Sequence, residues 1–473
     1  MFDDNLILLS DSYKVSHHKQ YPPETQTVYS YFESRGGEFP YTIFFGLQYY
    51  LYKYLKGCRL SGIDIEEAER YFEKHFGNKS LFNKAGWEYI CDVHNGKLPV
   101  SIKAIPEGTR VSTSNILMTI ENTDPKCYWL TNYLETLLVQ TWYGSTVATQ
   151  SYAIRQMITK FLEETGDPSL INFKLHDFGF RGVSSVESAA IGGAAHLINF
   201  MGTDTMVALK LINEYYNTSN SNKIVGHSIP AAEHSTICSW GREYERDAFE
   251  NMLDQYPEGL VACVSDSYNI FNACEKLWGS DLKDKIMARN GTLVIRPDSG
   301  DPVETILKVL HILEKQFSCS TNAKGYKVLD PHVRIIQGDG VNINSIEDIL
   351  REMKTHKFSA DNIAFGMGGA LLQKLHRDTQ SFAFKCSGVK VGNEWKSVFK
   401  CPITDTGKIS KAGRLKLIAR ENAAGGISYQ TVNEDANVHG KDLLVEVFRD
   451  GKILKTYDFD EVRKNAAEIN KDK

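Results

Sequence analysis

The chain has 473 residues, 42% apolar and 24% charged, which at about 100–200 residues per domain makes two or three domains of ordinary globular composition. A formal charge of −5, from 54 basic against 59 acidic residues, argues against nucleic acid as the main partner, because such proteins carry a net basic face. Nine scattered cysteines without a C-x-x-C pair indicate neither a disulfide framework nor a zinc site. No leader-like stretch and no run near the ~20 apolar residues of a membrane span is visible, so a reducing, cytoplasmic setting without membrane contact is expected.

In chain order, residues 1–150 mix short strands and helices. Gly46–Lys56 and Ile65–His75 read as helices, the second with an acidic first turn, and Val100–Ala104 and Ile116–Glu121 alternate as strands do. Pro125–Trp142 and Val147–Glu164 carry the spacing of long amphipathic helices. From about 171 a unit repeats: a short apolar run, a polar glycine-containing turn, then a helical pattern. The runs are Phe173–Leu175, Lys223–Val225, Leu260–Val264, Thr292–Ile295, Val333–Gln337 and Asn362–Phe365. Strands alternating with helices predict a parallel sheet, because each parallel crossover needs a connecting helix. Residues 151–385 are therefore expected to form an irregular α/β barrel-like domain, with a doubly wound open sheet as the alternative. In both, ligands bind beyond the carboxyl ends of the strands. From 386 the repeat stops: Lys385–Lys411 and Leu443–Phe459 read as strands and turns, and a charged tail runs from Arg463 to Lys473. Region 386–473 is expected to pack on 1–150, giving an α+β domain from the two ends of the chain.

The unusual polar residues fall at the strand ends. Gly366-Met367-Gly368-Gly369 can cradle a phosphate with backbone N–H groups or form a plain tight turn; Arg377 and Lys385 follow it. Gly338-Asp339-Gly340 can present a carboxylate to ribose hydroxyls or a metal, or cap its own turn. Arg296 and Asp298 flank a rigid Pro297. His234 is preceded by Glu233 and followed by hydroxyl residues, with Asp266 ending the next strand; a neutral imidazole oriented by a carboxylate is a competent nucleophile or base. The other twelve histidines show no metal-ligand spacing. Phe178 and Tyr13 can stack on a flat ring or fill core.

Several long segments resemble nicotinamide phosphoribosyltransferases, a type II phosphoribosyltransferase family. They include Asp11-Ser12-Tyr13-Lys14-Val15, Glu121-Asn122-Thr123-Asp124-Pro125, Leu175–Ser185, Gly202-Thr203-Asp204-Thr205, Pro230–Thr236, Val264–Tyr268, Ile295–Gly300, Ile336–Val341 and Leu371–Asp378. The resemblance runs in order from about residue 6 to 465. It implies that nicotinamide lies between Phe178 and a Tyr13 from the other subunit of a homodimer, with Asp204 accepting from the carboxamide NH₂ and Arg181 and Arg296 lining the pocket. It further implies phosphoribosyl pyrophosphate across the strand ends. Asp298 and Asp339 would meet the ribose, Gly338, Gly368 and Gly369 the phosphates, and Arg35, Arg377 and Lys385 the pyrophosphate or ATP, with Lys400 and Lys408 nearby. His234 would take a phosphoryl group from ATP, held by Glu233 and Asp266 and assisted by Mg²⁺. The chain departs from the family at the short Gly36-Gly37 connection and at Ala262, where a hydroxyl residue is usual. Competing readings are nicotinate or quinolinate phosphoribosyl transfer on the same fold, a non-catalytic interaction protein, and a barrel lyase with an active-site lysine, for which only Lys385 approaches a strand end of the repeat.

Overall fold

The computed structural model describes residues 5–216, 223–404, 408–421 and 426–467. The chain divides into two units. One comprises Met1–Thr149, Leu211–Ser221 and His376–Lys473, the other Gln150–Lys210 and Asn222–Leu375.

The first unit is built on Thr25–Ser34, a ten-residue strand rich in the β-branched and aromatic side chains that suit a pleated surface. It pairs antiparallel with Phe382–Val391 on one side and Ile116–Asn122 on the other. Val100–Ala104 then pairs with both Ile116–Asn122 and Val445–Arg449. The two ends of the chain thus share one seven-stranded antiparallel sheet, an α+β arrangement. Lys385 sits on this sheet opposite Tyr31, so it ends no strand of the repeat. The segment Leu211–Ser221 belongs to this unit, which boundaries at 150 and 385 did not anticipate. A buried carboxylate explains it: Glu107 accepts from Gly46 N–H at 3.0 Å, Gln48 N–H at 2.6 Å and the Tyr216 hydroxyl at 2.7 Å. Burial raises the Glu107 pKa, and these donors oppose the rise.

The helix expected over Pro125–Trp142 is broken into Pro125–Cys127, Leu130–Tyr133 and Glu135–Val139, after which Thr141–Thr165 runs unbroken. Tight bonds such as Gln140 N–H to Leu137 O, 3.2 Å, replace the regular ladder at the break. In the same unit His94, Asp124 and Cys127 come together, a grouping that spacing alone did not indicate. The Asp124 carboxylate is already engaged by His94 (2.8 Å), Tyr89 (3.0 Å) and Lys126 N–H (2.8 Å), and burial pushes the Cys127 thiol up to about 12.

The second unit has six parallel strands in the order Gly202–Thr203, Leu175–Asp177, Ile363–Met367, Val333–Gln337, Asn290–Arg296 and Glu258–Val264. The run Lys223–Val225 forms no strand. Instead His227 bridges Gly202 and Ala231 bridges Ala262, so a single segment ties both edges together and curls the sheet into an irregular barrel. Pro230, with no N–H to donate, keeps that segment from becoming a regular ladder. Ala262, Val294 and Ile336 form a buried cluster in this unit, against which Phe178, Ile229 and Ala364 pack. Helices return the chain between strands. Pro302–Phe317 starts with Asp301 accepting from Glu304 N–H and with proline in its first turn, and it buries Ile306, Val309, Leu310 and Leu313. Among the described residues no helix is long and apolar enough to cross a membrane, and the nine cysteines are free thiols.

Candidate active site

The turns at the carboxyl ends of the parallel strands line one cavity of about 1640 Å³. Its walls include Phe178 and Arg181, Asp204, Glu233 and His234, Arg296 and Asp298, Gly338 and Asp339, and Gly368 and Gly369. Eleven residues singled out in the sequence thus meet here across some 190 positions, since strand-end turns of a parallel barrel converge.

His234 opens a short helix, Glu233 being its N-cap. Its Nε2 lies 3.0 Å from Asp266 Oδ1 and its Nδ1 4.0 Å from Asp298 Oδ2. Asp266 also accepts from the Ser299 hydroxyl and is nearly buried, whereas the imidazole is 45% exposed and reachable from the cavity. Glu233, expected to hold His234, does not: its carboxylate takes the Ser235 hydroxyl and its N–H donates to Thr236 Oγ1 at 3.3 Å. Asp266 and Asp298 flank the ring instead.

Burial pushes the Asp298 carboxyl above the ordinary aspartate range; Asp266 and Asp339 add to this, while Arg296 and His234 oppose it. Arg296 Nε is 3.6 Å from Asp298 Oδ1, close enough for ion pairing but beyond hydrogen-bond range, and is buried with no hydrogen-bond partner among the described residues. The Gly338–Gly340 turn is pinned by Gln337 Nε2 donating to Asp339 O at 2.8 Å, and Gly340 takes φ +66°, a backbone state that favours glycine.

Phe178 owes its place to two features. Asp177, fully buried, accepts from Gly179 N–H at 2.7 Å and from Thr203 Oγ1 at 3.3 Å, while Phe178 N–H donates to Met367 O at 3.1 Å. Gly366 then makes room, because a Cβ there would come within 1.9 Å of Phe178 Cε2. Gly366→Ala should therefore displace the ring and destabilise the fold by about 1–3 kcal/mol, the usual range for overpacking. Thermal unfolding checks this, and an unchanged Tm would mean that the ring yields without cost.

Tyr13, Arg35, Arg377 and Lys385 belong to the first unit. Tyr13 is 59% exposed. Burial lowers the Lys385 pKa; Glu135 opposes the fall, while Arg35, Lys400 and Arg377 add to it, so four cations gather here, Arg35 being paired with Glu33 at 3.0 Å. Three residues were not singled out by sequence. Lys374 lines the cavity five positions after Gly369, and a basic residue so soon after a glycine turn was a usable signal. Asp177 works from inside the wall, and Ser228 is placed by strand register. Neither leaves a sequence signal.

Residues 173–452 match the Nicotinate phosphoribosyltransferase family and residues 5–102 the Nicotinamide phosphoribosyltransferase N-terminal domain. The chain is 50% identical over 469 residues to a nicotinamide phosphoribosyltransferase of Xanthomonas campestris pv. campestris, covering 98% of both chains. It is 31% identical to one of Acinetobacter baylyi, covering 97% of this chain and 96% of the other. Two solved structures share the fold at TM-score 0.61. These are nicotinate-nucleotide pyrophosphorylase from Pyrococcus furiosus (16% identity, 100% of this chain and 97% of that one) and human nicotinic acid phosphoribosyltransferase (14% identity, 98% and 93%).

Proposed function

The chain belongs to the nicotinate and nicotinamide phosphoribosyltransferase family, enzymes of pyridine nucleotide synthesis, and from that premise we propose that it joins nicotinamide to phosphoribosyl pyrophosphate with ATP as co-substrate. The observation that carries this reading is the presence in one cavity of Phe178, a platform for a flat ring, and Asp204, an acceptor suited to an amide NH₂. A carboxylate at that point favours nicotinamide and repels the anionic nicotinate.

In this reading the pyridine nitrogen attacks the anomeric carbon, the N–C bond forms as the C–O bond to pyrophosphate breaks, and pyrophosphate leaves with the electron pair. Rate comes from positioning and from charge stabilisation on the leaving group. Arg296, whose buried Nε has no protein acceptor among the described residues, and Arg181 hold carboxamide or phosphate oxygens. Asp298 and Asp339 face the ribose, and the backbone at Gly338, Gly368 and Gly369 faces the phosphates. The cations Arg35, Arg377, Lys385 and Lys400 serve pyrophosphate or ATP, and Tyr13 from a second copy covers the ring, which makes the working form a homodimer.

His234 is the phosphoryl acceptor. Asp266 accepts from Nε2–H and so favours the tautomer with a lone pair on Nδ1. Attack of Nδ1 on the γ-phosphorus of ATP forms the P–N bond as the P–O bond to ADP breaks; water later cleaves P–N, returning imidazole and inorganic phosphate. Asp298 and Asp339, carboxylates on the cavity wall, fit Mg²⁺, which keeps water and phosphate oxygens beside one or two protein carboxylates. When bound it neutralises phosphate charge. A cytoplasmic setting completes the reading, supported by the free thiols.

Mononucleotide formation should be measured with nicotinamide and with nicotinate, each with and without ATP. Nicotinamide should be used faster by about tenfold or more, and ATP should raise the rate. Faster use of nicotinate would replace this reading with nicotinate phosphoribosyl transfer.

A further inference from the structure

Asp204 lies on the cavity wall, but its carboxylate is held from outside it. The Ser228 hydroxyl donates to Asp204 Oδ1 at 2.5 Å, and Ser228 is not among the residues lining the cavity. Register brings the two together. Asp204 follows the edge strand Gly202–Thr203, and His227 bridges Gly202 in parallel. Thr203 N–H donates to His227 O at 2.9 Å, and His227 N–H to Met201 O at 2.7 Å. The residues one step beyond, Asp204 and Ser228, therefore fall side by side.

The backbone of Asp204 is fixed as well. Its N–H donates to Asp177 O at 3.0 Å, and the buried Asp177 carboxylate accepts from the Thr203 hydroxyl on one side and from Gly179 N–H, next to Phe178, on the other. The ring platform and the acidic group are thus built on one support. What that support leaves undetermined is the Asp204 side chain itself, whose last torsion is broad and roughly two-fold.

We infer that Ser228 is a positioning residue for substrate selection: by occupying Oδ1 it keeps Oδ2 turned toward the bound pyridine and so sets the preference for an amide-bearing over a carboxylate-bearing ring. The inference rests on the role given to Asp204 above. An oriented oxygen accepts from the amide NH₂ and opposes a ligand carboxylate at the same point. An untethered one turns toward solvent and weakens both effects. Ser228 is exposed, so removing its hydroxyl opens no core cavity.

The test compares wild type, Ser228→Ala and Ser228→Thr by kcat/KM for nicotinamide and for nicotinate, alongside Tm. If nicotinate is not turned over, it is scored by its inhibition constant. Ser228→Ala should lower the nicotinamide-to-nicotinate preference about tenfold, mainly through KM, as expected for loss of a hydrogen bond to a charged group. Ser228→Thr should restore it, and Tm should stay within about 2 °C of wild type in both. A preference within twofold of wild type in Ser228→Ala, or an equal decline for both substrates, overturns the inference. If wild type itself makes no mononucleotide from nicotinamide, the reading of the site is what fails.

Discussion

His234→Ala should make the rate of mononucleotide formation the same with and without ATP. Alanine offers no nitrogen to accept a phosphoryl group, so every ATP-dependent gain passing through this side chain disappears and is not merely reduced. The geometry identifies the partner to vary next. Asp266 is the nearly buried carboxylate 3.0 Å from Nε2, and it favours the tautomer that leaves Nδ1 nucleophilic. Asp266→Ala should therefore lower the ATP-dependent increment by about 10²-fold, the lower end of what a positioned proton-transfer partner contributes. Glu233→Ala should have a smaller effect on that increment, since its carboxylate is spent on Ser235 and the start of the helix. Labelling with ATP carrying a radioactive γ-phosphate gives the direct readout: wild type should yield an acid-labile phosphoprotein and His234→Ala none. ATP stimulation surviving in His234→Ala would remove this residue from the phosphoryl path.

Much of the site was legible because a parallel barrel sends its ligands to one place. Once Val333–Gln337 and Thr292–Ile295 read as strands, the residues just after them, Gly338, Asp339, Arg296 and Asp298, were bound to converge, and they do. Legibility failed where structure depends on register or on partners distant in sequence. Gly202–Thr203 has two residues, too few for any periodicity, yet it forms an edge of the sheet. Lys223–Val225 had the right composition, but the bridging falls on His227 and Ala231 next to a proline. Lys385 looked like part of the repeat because it follows the glycine turn, whereas antiparallel pairing with Tyr31 assigns it to the other unit. Glu233 adjoins His234 in sequence, but the helix beginning at His234 turns the two side chains apart and uses Glu233 for its cap. Adjacency along the chain was the weaker guide, and position relative to a strand end the stronger.

Asp204→Ala should lower kcat/KM for nicotinamide by about 10- to 150-fold, the equivalent of the roughly 1.5–3 kcal/mol that a hydrogen bond to a charged group contributes. The loss should fall chiefly on KM, since the carboxamide is remote from the bond that breaks and its contact serves ground state and transition state alike. Nicotinate should respond in the opposite sense: removing the negative charge removes the repulsion of its carboxylate, and its kcat/KM should rise. Asp204→Asn separates the two contributions, because the amide keeps an acceptor oxygen and a partner for Ser228 while losing the charge. It should keep more nicotinamide activity than alanine and still admit nicotinate. Steady-state kinetics on both substrates decide the matter. A fall of less than threefold for nicotinamide in Asp204→Ala would move recognition of the amide elsewhere on the cavity wall, with Arg181 and Arg296 as the groups left to make it.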